Sequence, residues 1–305
     1  MMKHDFPRLR KQATLYESVQ LYLAYLQTVR KLETNSVTHY GNDLSLFVRF
    51  VERVESVEAE HVPASSLTAK HVTEFLRDQT VRRGNGSASN RRRLSCLRGF
   101  FRYLAEHGIV SSDLLIETPM PAAPKRKLVV LTPAEVKAFL AAIQTSAPYP
   151  VRDDAIFRTF LTCGCRLSEL LHLRWEDIDI TGGWIRFSSR PGSSRVVPLP
   201  KQTAVALARY ADKRPKTGEE RLFLNRHRQP ITKGAVYHSF RKCLSAAKIQ
   251  RSGITVHSLR NTFLVRMLTE GTLPLHRIWD IAGIRTQTTL TALLKEAAMQ
   301  RGQTD

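Results

Sequence analysis

Pro119, Pro121 and Pro124 fall within the stretch Glu117-Thr118-Pro119-Met120-Pro121-Ala122-Ala123-Pro124, and the cations Lys125-Arg126-Lys127 follow at once. Each proline locks its own φ, lacks an amide hydrogen and pushes the preceding residue out of helical geometry, so this stretch cannot run inside a helix or a paired strand. It therefore divides the chain by extended backbone. With 305 residues there is enough chain for a core on each side. The expected organisation is a helical domain over 1–116, a basic Pro-rich linker over 117–130 and a second domain over 131–305. The linker either tracks a phosphate backbone between two modules or is an inert spacer.

The first domain reads as four helices. Leu15, Val19, Tyr22, Leu23 and Leu26 recur at helical spacing up to about Arg30. A second helix is expected after a Thr34-Asn35-Ser36 cap, through Tyr40, Leu44, Phe47, Val48 and Val51, and a third from Leu67-Thr68 to about Arg83. The fourth carries Leu94, Leu97, Phe100, Phe101 and Leu104. It follows a Gly-Ser turn bracketed by Arg82, Arg83, Arg91, Arg92 and Arg93. Arginines flanking a turn and entering a helix are placed to grip phosphates, and the competing reading is a solvated charge run.

Charge favours the first of these. The chain has 47 Lys+Arg against 27 Asp+Glu, a formal charge of +20, so a polyanion, nucleic acid above all, is the expected partner. No apolar run approaches the roughly 20 residues that a membrane span needs, and Met1-Met2-Lys3-His4-Asp5-Phe6-Pro7 lacks the apolar centre of a secretion signal. A cytoplasmic, nucleoid-associated protein is expected. Cys96, Cys163, Cys165 and Cys243 contain no pair at metal-ligand spacing and are read as small buried residues, and no metal is expected.

The second domain is organised around Thr162-Cys163-Gly164-Cys165-Arg166-Leu167-Ser168-Glu169-Leu170-Leu171-His172-Leu173-Arg174-Trp175-Glu176-Asp177-Ile178. Glycine is read as heading a helix with Leu167, Leu170, Leu171 and Arg174 in register, which places Arg166 beside free N–H groups that favour an anion, and the competing reading is an amphipathic helix whose arginine is only solvated. Upstream, Thr132 and Pro133 start one helix and another spans about Arg152 to Leu161. Downstream, Ile178–Phe187 reads as strand, turn, strand, and Arg195-Val196-Val197-Pro198-Leu199 as a further strand after a turn. The fold class is mainly α with a small antiparallel β-sheet.

This series resembles the tyrosine recombinases of phage-integrase type. The resemblance rests on Leu131-Thr132, on Gly164-Cys165-Arg166-Leu167-Ser168-Glu169-Leu170, on the hairpin ending Arg195-Val196-Val197-Pro198-Leu199, and on His257-Ser258-Leu259-Arg260-Asn261-Thr262-Phe263. It covers nearly the whole chain, with a helical core-binding-like domain before a mixed α+β catalytic-fold domain. It implies duplex DNA as partner, no cofactor, and attack of a tyrosine on a phosphodiester between two arginines and a general acid. Arg166 matches the first arginine, Glu169 the acid that braces it, and His257 with Arg260 the His-x-x-Arg box.

Three positions depart from that pattern. Arg190 stands where the hairpin lysine is expected and, because a guanidinium holds its proton tightly, is a poor proton donor. Ile284 follows Ala282-Gly283 where histidine or tryptophan is expected. Downstream of Thr288-Thr289, where the tyrosine is expected, the chain reads Leu290-Thr291-Ala292-Leu293-Leu294, and the nearest upstream tyrosine, Tyr237, is read as a packing residue. Thr288, Thr289 and Thr291 have no activating base near them in sequence.

The leading expectation is a cleavage-deficient DNA-binding subunit in which Arg166, Arg190, His257 and Arg260 hold a phosphate and the two domains clamp a duplex. Lys125, Arg126 and Lys127 are expected to add DNA contacts. It would act as an accessory or regulatory subunit, beside an active paralogue or as a homo-oligomer on DNA. The alternatives are an integrase subunit that receives tyrosine from a partner, and a basic scaffold with no duplex preference. Leu290–Leu294 is read either as docking on a neighbour or as folding back on its own core.

Overall fold

The computed structural model describes residues 7, 9–84, 86–112, 114, 118–122, 128–190, 193–271, 273–284 and 287–302, without the side chains of 189, 190 and 193. The chain divides into two compact units, Met1–Arg126 and Lys127–Asp305.

The first unit is built from α1 (Leu15–Thr28), α2 (Thr34–Glu55), α3 (Ala69–Val81) and α4 (Ser87–Glu106). Their apolar stripes meet in a core of Phe47, Phe50, Phe75, Phe100, Phe101 and Tyr103, with edge-on ring contacts such as Phe47 to Phe75 at 5.4 Å. Thr14 caps α1 with a capping box to Glu17. The cap expected at Thr34–Ser36 is not used: α2 starts at Thr34 with Glu33 as its N-cap and no side-chain bond. The beginning of the proline-rich segment is not a free spacer, because Arg91 Nη1 donates to the Pro121 carbonyl (2.5 Å) and Arg98 Nη2 to that of Thr118 (2.7 Å). Lys125, Arg126 and Lys127 lie outside the described residues.

The second unit opens with α5 (Pro133–Ser146), α6 (Pro150–Cys163) and α7 (Leu167–His172). The strands β1 (Ile178–Asp179), β2 (Trp184–Arg190) and β3 (Ser193–Pro198) then form an antiparallel sheet in that order. It closes with α8 (Lys201–Lys213), α9 (Lys233–Ala246), α10 (Val256–Glu270), α11 (Leu275–Ala282) and α12 (Gln287–Arg301). The mainly helical class with a small antiparallel sheet is the one expected. Thr132 caps α5 with Pro133 in its first turn, as its sequence dictates. Phe139, Phe157 and Phe240 fix α5, α6 and α9 to one another. Tyr237 is half-buried on α9 against this core, under the Lys233 ammonium at 5.8 Å, in line with a packing role.

A second cluster joins α10, α11 and α12 through Phe263, Leu264, Leu268, Ile278, Ile284, Leu290, Leu293 and Ala297. Of the two readings of Leu290–Leu294, folding back is the one observed. Arg301 fastens the far end of α12, donating to the Leu268 and Thr269 carbonyls at the end of α10. No helix among the described residues is long and apolar enough to cross a membrane.

Two local expectations are corrected. Gly164 does not head a helix: with φ +59° it is the left-handed C-cap of α6, and α7 begins three residues later at Leu167. The helix also stops at His172, so Arg174 is out of register with Leu167, bridges to Arg221 and ion-pairs with Glu220 at 2.9 Å. A β-carbon at position 164 would collide with the Phe263 ring. Gly164→Ala therefore combines backbone strain with overpacking and is expected to lower the unfolding free energy by about 2–4 kcal/mol in urea titrations.

Candidate functional site

Arg166 is the N-cap of α7, extended at φ −79° and ψ 153°, and Glu169 lies in the helix's first turn. That spacing lets one carboxylate serve the helix end and the side chain together. Glu169 Oε2 accepts the Arg166 backbone N–H at 2.6 Å, and Oε1 accepts Arg166 Nη1 at 2.7 Å. Glu169 is only 2% exposed, so its charge requires further partners. They come from β3: Arg195 Nη1 and Nη2 bind Oε1 and Oε2 at 2.5 and 2.8 Å, the bidentate fork of an arginine–carboxylate pair.

The third wall is the carbonyl end of α11. A helix leaves its last carbonyls without intrahelical partners and with partial negative charge. Here Arg195 Nε donates to Ile281 (2.7 Å), Arg260 Nη2 to Ala282 and Arg166 Nη2 to Gly283. Gly283 turns the chain at φ +56°, and a β-carbon there would stand 3.3 Å from Arg166 Nη1 and 3.4 Å from Arg195 Cδ. Arg260, on α10, is buried and also donates to the Gly164 carbonyl at the end of α6. Three guanidiniums are thus wedged among α6, α7, β3 and α11.

Electrostatics follow from this enclosure. Burial alone would raise the Glu169 pKa, but the hydrogen bonds and charge of Arg195, with the bonds from Arg166, bring it down to about 2. Burial and then the neighbouring Arg166 and Arg195 lower Arg260 to about 10, so it remains a cation at neutral pH. His257, exposed at the first turn of α10, is held below its ordinary value by desolvation and then by Arg260 and Arg166, which leaves it neutral at neutral pH. Burial also raises the Cys163 thiol to about 11 and the Cys165 thiol well above its ordinary value, so both are uncharged.

The structure thus brings together Arg166, Glu169, His257 and Arg260 of the expected set. Arg190 ends β2, and its side chain lies outside the described residues. Ile284 is buried in the α10–α12 cluster and offers no polar atom. Arg195 was missed as a site residue. Its signal was the period of two along β3, which puts Arg195 on one face with Val197 and Leu199, and an arginine on a core-facing edge calls for a buried carboxylate. The carbonyls of α11 had no side-chain signal.

The arginines of the first unit divide. Arg82 and Arg83 are exposed beyond α3, with Arg82 3.3 Å from Asp78. Arg92 is exposed and ion-pairs with Asp43. Arg91 is half-buried on the Pro121 carbonyl. Arg93 is buried between Asn90 (3.2 Å) and Asp43 (3.8 Å), which corrects its reading as a phosphate contact. Likewise Arg260, buried at 4% exposure, has little surface for direct DNA contact, whereas the Arg166 side chain is 32% exposed. On α12, Thr288, Thr289 and Thr291 are exposed, and Thr291 donates to the Gln287 carbonyl of its own helix.

Residues 129–291 match the family model described as Phage integrase family, and residues 19–108 match the phage integrase N-terminal SAM-like domain. Tyrosine recombinase XerD of Listeria monocytogenes is 27% identical over 259 residues, covering 83% of this chain and 85% of the relative. Tyrosine recombinase XerC of Xanthomonas axonopodis pv. citri is 28% identical over 256 residues, covering 82% and 83%. Among solved structures, a lambda integrase(75-356) dimer bound to a COC' core site aligns with TM-score 0.74 at 18% identity, over 93% of this chain and 96% of that one. A XerA recombinase aligns with TM-score 0.51 at 20% identity, over 94% and 98%. At these identities the structural likeness is one of fold.

The Glu169 carboxylate generates a testable pH dependence. Its folded pKa is depressed to about 2 from an ordinary 4.5, so its contribution to stability is complete above the ordinary value and lost as pH falls through the folded one. Glu169→Gln leaves two guanidiniums facing a neutral amide and is expected to cost about 3–5 kcal/mol at pH 7. Urea unfolding at pH 7 and pH 3 should show that deficit shrinking in acid.

Proposed function

The chain belongs to the phage integrase family, and from that membership we propose that it is a duplex-DNA-binding protein of site-specific recombination or integration that grips a phosphate without cutting the strand. The observation that carries the second half is the stretch following Thr288-Thr289. On α12 it presents Leu290, Thr291 and Ala292, with Leu290 in the core and Ala292 exposed, and no tyrosine follows Tyr237. Attack by tyrosine needs a phenol at the pocket, and Tyr237 is half-buried on α9 in the packing of another part of the unit.

The general acid is lacking in the same way. Arginine at 190 keeps a positive charge but holds its proton too tightly to release it to a leaving oxygen. Ile284 has no hydrogen to donate. His257 stays exposed beside Arg166, a pair able to orient a phosphate oxygen, and among the described residues Arg166 retains N–H groups beyond those given to Glu169 and Gly283. The site keeps an anion grip and lacks both proton donor and nucleophile.

Duplex DNA as partner is supported by the formal charge of +20, by exposed Arg82, Arg83 and Arg92 in the first unit and by solved relatives described as bound to DNA as dimers or tetramers. The chain is read as an accessory or regulatory subunit, alone as a homo-oligomer or beside an active recombinase. A second reading keeps it an enzyme whose pocket receives tyrosine from a partner chain. The exposed Arg166 and His257 favour that reading over a basic protein with no duplex preference, which needs no such pair.

A nicked suicide duplex separates these readings. The purified chain should bind it and form no covalent adduct. Adduct on this chain defeats the cleavage-deficient reading, and adduct on an added recombinase that depends on this chain's Arg166 supports donation in trans. Binding should weaken steeply with salt, and single strands or RNA should compete poorly.

A further inference from the structure

The pocket carries more positive charge than a phosphodiester can match. Arg166, Arg195 and Arg260 contribute three formal charges and Glu169 removes one, with all four joined through hydrogen bonds to one another or to the α11 carbonyls. The other titratable groups facing it are neutral at neutral pH: His257 on α10, and Cys165 behind Arg260. Asp280, exposed on α11, bonds to none of the three arginines. The positive end of α7 and the carbonyl end of α11 meet here and oppose each other.

Access is through one arginine. The Arg195 side chain is 12% exposed and Arg260 is buried, whereas the Arg166 side chain is 32% exposed and gives two of its five N–H groups to described residues. His257 is exposed as well. The opening therefore shows a guanidinium fork and an imidazole, backed by a net charge of +2.

An internal phosphodiester brings one negative charge. Strand cleavage adds a second at the reacting phosphorus as the nucleophile arrives, but in a pocket without nucleophile that charge never develops. A phosphate at the end of a strand carries it already: a phosphomonoester holds about −1.5 to −2 at pH 7. It also presents three oxygens with no second ester link to fix their direction. We infer that the pocket opened by Arg166 takes the terminal phosphate of a DNA strand, at a nick or break, in preference to an internal phosphodiester. This rests on the reading of the chain as a DNA-binding, cleavage-deficient protein, and it assigns that protein to held strand ends.

The test uses one duplex in four forms: intact, nicked with a 3′-phosphate, nicked with a 5′-phosphate, and nicked with hydroxyls on both sides. Affinities of the full chain are read by fluorescence anisotropy at fixed ionic strength between pH 5 and 8. At pH 7.5 one phosphorylated nick should bind about tenfold more tightly than the hydroxyl nick, the value of one extra charge-assisted hydrogen bond. The 3′ and 5′ arms identify which end is held. The advantage should fade as pH drops through about 6, where the phosphate takes up its second proton. Protonation of His257 in acid favours the phosphorylated arms and opposes this fade, so the series is repeated on His257→Gln, in which the ratio between arms follows the ligand's own titration.

Arg166→Ala should abolish the phosphate-dependent advantage. Because Arg166 also braces Glu169, Arg166→Lys and the pH series on the unaltered chain provide independent readouts if that variant unfolds. Equal affinity for phosphorylated and hydroxyl nicks, with duplex binding intact, overturns this inference alone. Failure to bind any duplex overturns the DNA-binding reading and this inference with it, and a covalent adduct on this chain overturns the premise of a missing nucleophile.

Discussion

One buried carboxylate organises the second unit. Glu169 lies out of reach of solvent, and a bare charge there would cost several kcal/mol, so it is tolerable only with the four hydrogen bonds it accepts from Arg166 and Arg195. Those bonds tie the start of α7 to β3. Because both arginines also donate to carbonyls at the end of α11, Arg195 to Ile281 and Arg166 to Gly283, the constraint extends to an element more than 100 residues downstream of Arg166. Arg195 adds its guanidinium over the Phe187 ring at 5.0 Å, so the sheet's own packing depends on the same ion pair. The geometry is over-determined: none of the three arginines can turn away without exposing Glu169 or leaving a helix end uncapped.

How much of this was legible in the sequence depended on whether the information resided in side-chain periodicity. Helices α1, α4 and α5 were readable because their apolar residues recur at helical spacing or start from a Thr cap. The pairs Arg166–Glu169 and His257–Arg260 were readable through the resemblance to the tyrosine recombinases, which matches one to an arginine and its bracing acid and the other to a His-x-x-Arg box. The α11 carbonyls were not, since backbone acceptors carry no residue-type signal and become partners only through tertiary approach. Gly164 was misassigned for a related reason: glycine at a helix boundary suits either end, and only its positive φ marks it as a C-cap.

Arg93 shows the opposite case, a signal present and overlooked. Three consecutive arginines on a helix point in three directions about 100° apart, so they cannot all face one phosphate backbone. Asn90, Arg93, Leu94 and Leu97 share the buried face of α4, and that spacing already places Arg93 inward, where Asp43 and Asn90 meet it. A charge run is therefore less uniform than its composition suggests.

The same reasoning bears on what the arginine pocket says about activity. Arg195 and Arg260 are accounted for structurally, one by Glu169 and Ile281, the other by Gly164 and Ala282, and both would be needed to keep α6, α7, β3 and α11 together in a chain that never touched a scissile bond. Their presence alone is thus weak support for chemistry. Arg166 and His257 are different, because each leaves polar surface open that the fold itself does not use. A neutral imidazole beside an exposed guanidinium contributes little to packing, and Arg260 and Arg166 disfavour its protonated form unless an anion comes to them. The functional content of the site therefore lies in the exposed pair, and the buried pair is the frame that holds its charge in place.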